Sequence, residues 1–388
     1  MDTEKKESSR FPTIFAGCIT LPLPVLMLFI LLHVPVLSVP AFRIVPYMPL
    51  ITLIVFLLAA VDLLLWRHKK TLSGKIIFCL ALAGFLACLI IDASELIVAK
   101  KQNVPIDLSA AFLPDDGDVT YDGDVAYLNY EGRDYVLSLW LPKDTDEKKA
   151  PVLLWVHGGG WTSGSNHDAA AHCRFFSEHG YLVASVEYPL SGNETHLYTI
   201  QQGAVAKAVQ WLKYHASSFG GDISRLYLGG SSAGGNLAIA TAARINKGEL
   251  DAVLGETLPK IKAVSTCYPP VDPAKVYNGC DPVFRSRIHT VCTQNWGGSP
   301  KDVPERYAES TAAVLMDESM APTLILYGQL DHLIPASSYK SFVNRMKEYN
   351  IGLRTIVFPF SDHGCDLSGS IECQVWRQRT LEWFEQYQ

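Results

Sequence analysis

The chain has 388 residues, of which 48% are hydrophobic, and it carries a formal net charge of −6. An acidic chain without a basic stripe excludes nucleic acid as a partner. The length allows one large domain or two domains of moderate size. The apolar residues are unevenly distributed: residues 14–99 are almost continuously apolar, whereas the chain from residue 104 onward has the composition of a soluble protein.

The apolar region divides into three stretches, each about as long as the ~20 residues that a membrane-spanning helix needs. The predicted spans are residues 14–39, 44–66 and 76–99. A cleaved signal peptide is the alternative for the first stretch, although the apolar stretches after it favour a span. An interfacial helix is the alternative for the third, because Asp92 and Glu95 lie near its end. The sequence thus predicts an N-terminal membrane region with three spans over residues 1–103.

Lysine and arginine residues predict the orientation, because they favour the cytoplasmic side of a membrane. With the N-terminus inside, seven basic residues lie on that side: Lys5, Lys6, Arg10, Arg67, Lys69, Lys70 and Lys75. Three lie on the other side: Arg43, Lys100 and Lys101. Three spans from an inside start place the C-terminal domain outside the cytoplasm.

The cysteines of the soluble part are consistent with that location. There are six of them, and an even number in an oxidising compartment suggests disulfides. The close pairs Cys280/Cys292 and Cys365/Cys373 are the candidates. Buried thiols are the alternative, and the sequence leaves both open.

Residues 104–120 are predicted to be a linker, since they contain prolines and an acidic run. The run "DDGDVTYDGD" lacks the closing glutamate of a calcium-binding loop, so a solvated acidic turn is favoured. After it, apolar and polar residues alternate on both sides of Glu131–Gly132, which predicts a β-hairpin. From Pro151, short apolar runs alternate with longer amphipathic ones, which indicates a mostly parallel sheet with helices on both faces. The second domain is therefore predicted to cover residues 121–388.

The sequence "GSSAGGN" follows the predicted strand that ends at Gly229. It contains G-x-S-x-G, in which a sharp strand-to-helix turn exposes the hydroxyl of one serine. Ser232 occupies the serine position and is the predicted nucleophile, whereas Ser231 has the wrong register. The helix that starts at Ala233 directs its N-terminus at the same point, which favours negative charge there. A structural turn is the alternative.

Three consecutive glycines, Gly158, Gly159 and Gly160, follow another predicted strand. Attack by a serine on an acyl carbonyl produces an oxyanion, and backbone N–H groups are the donors that stabilise it. Side chains would block the approach of a substrate to such a backbone, so the glycines are explained if the loop is an oxyanion hole. The N–H of Ala233 is expected to supply a further donor. A flexible loop is the alternative.

A serine nucleophile needs a base, and the base needs an acid to orient it. Asp331 follows one predicted strand and His363 follows the next, so both belong to loops at the same edge of a parallel sheet. Asp362 and Asp366 are rival acids on the loop of His363. Among the other histidines, His157 and His332 are expected to be structural.

The four motifs HGGGW (157–161), GSSAGGN (230–236), GQLDHLIP (328–335) and DHG (362–364) resemble the α/β-hydrolase superfamily. More narrowly, they are similar to the hormone-sensitive-lipase-like esterases and related bacterial carboxylesterases. The resemblance covers the chain from about Tyr121 onward. It implies an α/β-hydrolase fold, a Ser232–His363–Asp331 triad, and Gly158, Gly159 and Ala233 as oxyanion donors. The N-terminal membrane region is not part of the family pattern.

Together these features predict a membrane-anchored serine hydrolase that cleaves carboxylic esters through an acyl-enzyme. No metal ion or organic cofactor is expected, and the partners are a small-molecule or lipid ester and the bilayer. An acyltransferase and a peptidase or amidase with the same triad are the alternatives. A catalytically inactive binding protein is the alternative from another class.

Overall fold

The computed structural model describes residues 15–114, 121–142 and 149–388. The chain forms two compact units. The first comprises Met1–Asp115 together with Phe358–Val375, and the second comprises Asp116–Val357 together with Trp376–Gln388. The predicted linker at 104–120 contains a short helix, and its residues 115–120 lie outside the described residues, as do Lys5, Lys6 and Arg10.

The first unit is built from apolar helices. Residues 15–20 are helical, and five further helices follow: α1 (Pro22–Leu31), α2 (Ala41–Ile44), α3 (Met48–Lys69), α4 (Leu72–Lys101) and α5 (Leu108–Phe112). Two helical segments are long and apolar enough to cross a membrane by length and composition, Ala41–Lys69 and Leu72–Lys101. They contain the second and third predicted spans.

The first predicted span is not a continuous helix in the described residues, which corrects the expectation of three spans. Helix α1 has 10 residues, or about 15 Å at 1.5 Å per residue, which is half of a ~30 Å hydrocarbon core. It begins at Pro22, because proline is tolerated in the first turn of a helix. It ends before His33 and Val36, whose φ angles of 51° and 66° are left-handed. The apolar composition of residues 14–39 concealed these interruptions.

Carboxylates in the long helices point inward rather than toward the outside of the unit. Asp62 on α3 is buried, and its Oδ1 accepts a hydrogen bond from Thr20 Oγ1 at 3.0 Å. Asp92 on α4 accepts one from Thr52 Oγ1 at 2.6 Å. The acids near the end of the third stretch therefore do not interrupt α4, which continues to Lys101.

The second unit contains the sheet. The strands are β1 (Gly123–Tyr130), β2 (Arg133–Trp140), β3 (Ala150–Val156), β4 (Leu182–Val186), β5 (Gly221–Ser231), β6 (Ile261–Cys267), β7 (Thr323–Gly328) and β8 (Leu353–Phe358). The helices after β3 are α6 (Ala170–Glu178), α7 (Tyr198–His215), α8 (Ala233–Lys247), α9 (Glu249–Leu254), α10 (Pro273–Gly279), α11 (Arg285–Trp296), α12 (Pro304–Ala308), α13 (Ala312–Leu315), α14 (Lys340–Glu348) and α15 (Ile371–Gln386).

The strand order is β1-β2-β4-β3-β5-β6-β7-β8. The pairs β3–β4, β3–β5, β5–β6 and β6–β7 are parallel, whereas β1–β2 and β2–β4 are antiparallel. The predicted hairpin is confirmed, and its turn residues Glu131 and Gly132 both have positive φ, as a type I′ turn requires. Strands β3 and β4 are buried along almost their whole length and are mainly apolar, as expected of parallel strands covered on both faces. Their carboxyl ends meet at one edge of the sheet.

The predicted disulfides are wrong: Cys280/Cys292 and Cys365/Cys373 are not bonded. All four side chains are buried. Cys292 faces the core from α11, where burial raises the pKa of its thiol, and small apolar side chains of this kind pack as hydrophobic residues. Cysteines that are close in sequence are therefore not disulfide-bonded here.

The crossing of α1 and α4 generates a prediction about Gly84. A Cβ at this position would lie 2.4 Å from the carbonyl oxygen of Pro24, so only glycine allows the two helices to approach this closely. We expect Gly84→Val to destabilise the protein by about 1–3 kcal/mol through overpacking. Thermal unfolding in detergent measures the effect. Leu86→Val, at an exposed position of the same helix, is the control, and equal melting temperatures for the two variants would contradict the packing argument.

Candidate active site

Ser232 lies between β5 and α8 in a strained backbone conformation. Its φ is 52° and its ψ is −124°, and non-glycine residues rarely adopt a positive φ. The strand pairing of Ser231 with Cys267 continues into a hydrogen bond from the N–H of Ser232 to the carbonyl oxygen of Cys267, at 2.9 Å. The preceding residue is thus held by the sheet, and the following residue begins the helix. This is the geometry of a nucleophile elbow.

The glycines on both sides of Ser232 are required by close contacts. A Cβ on Gly230 would lie 2.8 Å from the carbonyl oxygens of Val156 and Gly234. A Cβ on Gly234 would lie 2.1 Å from the oxygen of Val156 and 2.3 Å from that of His157. Strand β3 therefore packs directly against the backbone of the elbow, and side chains at these two positions would push the turn open.

Helix α8 is fixed by Asn236, which the sequence analysis did not single out. Its side-chain Nδ2 donates to the carbonyl oxygens of Pro270 and Ser310, at 3.1 and 2.8 Å. The side chain is buried at 1% exposure, so these bonds hold the first turn of the helix in place. The motif GGN after the serine was a signal, because a buried amide in the first turn of a helix needs partners outside the helix.

The glycine loop lies beside the serine. A Cβ on Gly158 would lie 3.3 Å from the Cβ of Ser232 and 3.1 Å from the carbonyl oxygen of Ser231. Gly159 has a φ of 112°, and its carbonyl oxygen accepts from the N–H and the hydroxyl of Ser163, at 3.1 and 2.8 Å. A side chain on Gly159 would lie 2.0 Å from the oxygen of Ser163. The structure thus brings Gly158, Gly159, Ser232 and Ala233 to one end of the sheet.

His157 stabilises the glycine loop. Its ring stacks on Tyr188 with centroids 4.2 Å apart, and the Tyr188 hydroxyl donates to the carbonyl oxygen of His157 at 3.0 Å. The ring nitrogen Nδ1 lies 2.7 Å from the carbonyl oxygen of Gly158. Burial lowers the pKa of His157, so the ring is neutral at pH 7. Tyr188 was missed from the sequence, since nothing local marks a tyrosine as a stacking partner.

Trp161 directly follows the three glycines and fixes the end of their loop. It has a φ of 63° and is buried against Trp296 in an edge-to-face arrangement, with centroids 4.7 Å apart. The carbonyl oxygen of Trp161 accepts from Gln201 Nε2 at 2.9 Å and from the N–H of Ser191 at 3.0 Å. A positive φ in a large residue persists only where neighbours enforce it, so these contacts determine the shape of the glycine loop.

Asp331 lies in the turn after β7, at the carboxyl edge of the sheet. Its side chain is 8% exposed, and Oδ1 accepts hydrogen bonds from the N–H groups of Leu333 and Ile334, at 2.9 and 2.8 Å. These two backbone donors fix the orientation of the carboxylate. The neighbouring His332 is also buried, and its carbonyl oxygen accepts from the N–H of Asp281 at 3.1 Å.

His363 follows β8 in the segment that belongs to the helical unit. It is 7% exposed, and its N–H donates to Oδ1 of Asp362 at 2.7 Å. Asp362 is thus engaged with the backbone of its own loop. The partnership of His363 with Ser232 and Asp331 stays a prediction from the sequence.

The arrangement around Ser232 suits acyl transfer. It presents a half-buried serine in a strained turn, a backbone loop of glycines, and a helix N-terminus whose first N–H groups have no partner inside the helix. Within the described ranges, no group of three or more histidine, cysteine, aspartate or glutamate side chains is placed to hold a metal ion.

The sequence was compared with those of known proteins. The model of the BD-FAE family matches residues 137–346, which excludes the N-terminal helices and the segment of His363. A probable carboxylic ester hydrolase, LipM, of Mycobacterium tuberculosis is 26% identical over 65% of this chain and 58% of its own length. Esterase LipC of the same organism is 26% identical over 60% of this chain and 57% of its own. The chain therefore spans less than two thirds of these relatives.

Among solved structures, an inhibited form of esterase B from Lactobacillus rhamnosis superposes with a TM-score of 0.58. The two sequences are 19% identical, and the match covers 77% of this chain and 96% of that one. A likeness at this identity shows the fold. The predicted α/β-hydrolase fold of the second unit is confirmed.

The contact between Gly234 and β3 generates a prediction. We expect Gly234→Ala to disrupt the elbow and cost about 1–3 kcal/mol or more, because its Cβ would overlap the carbonyl oxygens of Val156 and His157. Gly203→Ala is the matched control: this glycine lies inside α7 with no atom within 4 Å of the added Cβ, and the change should stabilise by about 0.5–1 kcal/mol. Chemical denaturation and ester turnover of both variants provide the measurement. Equal stability and activity in the two would contradict the close-contact argument.

Proposed function

The chain belongs to the BD-FAE family, and on that premise we propose that it hydrolyses carboxylic esters with Ser232 as the nucleophile. The observation that carries the proposal is the strained backbone of Ser232, directly beside a loop of glycines. A structural turn would not need a residue with a φ of 52° flanked by two positions that exclude a Cβ. The relatives named as esterases support an ester as the substrate.

Each residue has a defined role in the proposed reaction. The imidazole of His363 accepts the hydroxyl proton while Oγ of Ser232 bonds to the carbonyl carbon. Asp331, held by its two backbone donors, orients the imidazole and stabilises its charged form. The tetrahedral intermediate expels the alcohol, which takes the proton from His363. Water then attacks the acyl-enzyme by the same steps and releases the acid.

The oxyanion of each tetrahedral intermediate lies where the glycine loop meets α8. The N–H groups of Gly158, Gly159 and Ala233 are the proposed donors. Loss of one such donor typically costs about 3–4 kcal/mol of barrier. Because these donors are backbone groups on a loop shaped by Trp161 and His157, the oxyanion hole is formed before the substrate binds.

We also propose that the N-terminal helices anchor the protein in a bilayer. Large apolar side chains are exposed along α3 and α4, and a water-facing surface rarely carries so many. They include Leu53, Phe56, Leu57, Val61, Leu64, Ile76, Leu86, Leu89, Ile90 and Ile97. Polar side chains of the same helices are instead paired inside the unit: buried Asp62 with Thr20, and half-buried Asp92 with Thr52, as polar groups are in membrane bundles.

The turn between α3 and α4 supports the proposed orientation. It carries four basic residues, Arg67, Lys69, Lys70 and Lys75, which favour the cytoplasm. If this turn is cytoplasmic, α4 leads out of the cytoplasm and the second unit lies outside. This argument holds whether or not residues 14–39 span the membrane. Esters that partition into the bilayer would then be concentrated near the enzyme, so we propose an apolar ester as the substrate.

The nucleophile is tested with a pair of neighbouring serines. We expect Ser232→Ala to abolish both ester hydrolysis and labelling by a fluorophosphonate, whereas Ser231→Ala keeps much of both. His363→Ala should be as inactive as Ser232→Ala, and the double variant should be little worse, because members of a triad act as a unit. Turnover of p-nitrophenyl butyrate and gel fluorescence measure the two effects. Labelling of Ser232→Ala at the wild-type rate would refute the assignment.

The orientation is tested with a site-specific protease. Its recognition sequence is inserted either between Lys70 and Thr71 or after Gln388, and the protease is added to intact cells. We expect cleavage only at the C-terminal site, because the charged turn is cytoplasmic. After permeabilisation both sites should be cut. Cleavage of the turn, with protection of the C-terminus, would show the opposite orientation.

A further inference from the structure

The segment that carries His363 is built into the helical unit. Residues Phe358–Val375 form one compact unit with Met1–Asp115. Two sets of contacts hold this segment in place: contacts within the segment itself and contacts with the N-terminal helices. Both involve side chains that the proposed reaction does not use.

Gln374 ties the end of this segment to the start of α5. The backbone N–H of Asp107 donates to Oε1 of Gln374 at 2.7 Å, and Nε2 of Gln374 donates to the carbonyl oxygen of Asp107 at 3.0 Å. Nε2 also donates to the carbonyl oxygen of Gly369 at 2.7 Å. One side chain thus pairs with both backbone groups of a residue 267 positions earlier and holds its own loop at the same time.

The middle of the segment packs against aromatic and backbone groups of the N-terminal region. Gly364, next to His363, has a φ of 74°, and a Cβ there would lie 3.3 Å from the ring of Phe42. Phe360 meets His33 edge to face, with ring centroids 5.4 Å apart. A Cβ on Gly369 would lie 2.8 Å from the carbonyl oxygen of Ala110. The helices therefore contact the segment on both sides of the histidine.

Glu372 links the first turn of α15 to the residues just before His363. Its Oε1 accepts a hydrogen bond from Ser361 Oγ at 2.6 Å, and both side chains are fully buried. Burial raises the pKa of Glu372 to about 7, with Asp366 adding to the shift. At mildly acidic pH Glu372 therefore acts as a neutral hydrogen-bonding group.

We propose that the N-terminal helices position the catalytic histidine, with Gln374 and Glu372 as the positioning residues: Gln374 holds the segment 358–375 against α5, and Glu372 holds Ser361 inside the segment. The helical unit is then part of the catalytic apparatus as well as an anchor. Disturbance of these contacts slows the chemical step, because displacement of a catalytic group by about 1 Å can cost up to 10²-fold in rate. This inference rests on the proposed function, in which His363 is the base.

The test uses full-length protein and four variants. Gln374→Met keeps the size of the side chain and removes its three hydrogen bonds, and Gln378→Met is its control at an exposed position one turn later on α15. Glu372→Ala removes the link to Ser361, and Glu372→Gln retains a neutral group that accepts the same hydrogen bond. We expect Gln374→Met and Glu372→Ala to lower kcat about ten- to hundredfold with KM within about twofold. Gln378→Met and Glu372→Gln should remain near the wild type.

A loss of folded protein is separated from a positioning defect by counting active sites. The final extent of fluorophosphonate labelling gives the number of competent serines, and kcat is expressed per labelled site. Positioning predicts full labelling at a reduced rate, and a reduced kcat per site. A wild-type kcat per site in Gln374→Met and Glu372→Ala, with fewer sites labelled, would overturn the inference.

The proposed function is tested separately by the wild type and Ser232→Ala in the same assay. If the wild type reacts and Ser232→Ala does not, the nucleophile stands whatever the positioning variants do. If the wild type is not labelled at all, the proposed function fails and the inference fails with it.

Discussion

The strained backbone at Ser232 is the constraint on which the active-site half of this protein depends. A non-glycine residue in such a conformation costs about 1–3 kcal/mol and persists only when its surroundings determine it. Here β5 and β6 hold the residue before the serine and its own N–H, and α8 begins at the residue after it. The carbonyl oxygens at the end of β3 lie so near the elbow that positions 230 and 234 accept only glycine. The sheet therefore sets the direction of the serine.

The same strand end also shapes the glycine loop. His157 follows β3, stacks on Tyr188, and leads into Gly158, where an added Cβ would lie 3.3 Å from the Cβ of Ser232. Tyr188 follows β4, the neighbour of β3 in the sheet. Two adjacent parallel strands thus supply the serine and the loop, and a third supplies the support beneath them. This is why the carboxyl edge of a parallel sheet can assemble a site from residues far apart in sequence.

The helical unit is held together by a different kind of contact. Large apolar side chains of α3 and α4 are exposed, and specific contacts hold these helices against their neighbours. The pairs Thr20–Asp62 and Thr52–Asp92 and the close approach of α1 to Gly84 are such contacts. In this unit the carboxylates are polar groups paired in an apolar interior, and they do not interrupt the helices.

Much of this protein was determined by its sequence alone. The alternation of apolar and polar residues predicted the hairpin at Glu131–Gly132, and the mostly parallel sheet followed from the alternation of strands with helices. The elbow and the glycine loop could be predicted because glycine is required where side chains cannot fit, which is a local property of the sequence.

Tertiary structure decided what composition cannot show. Residues 14–39 are apolar enough to span, yet their backbone is interrupted, and Cys280 and Cys292 are near in sequence without being bonded. The contacts of Gln374 with Asp107 and of Glu372 with Ser361 could likewise not be predicted from the sequence. Long-range pairing depends on where the chain returns in space, and a local pattern holds no information on that.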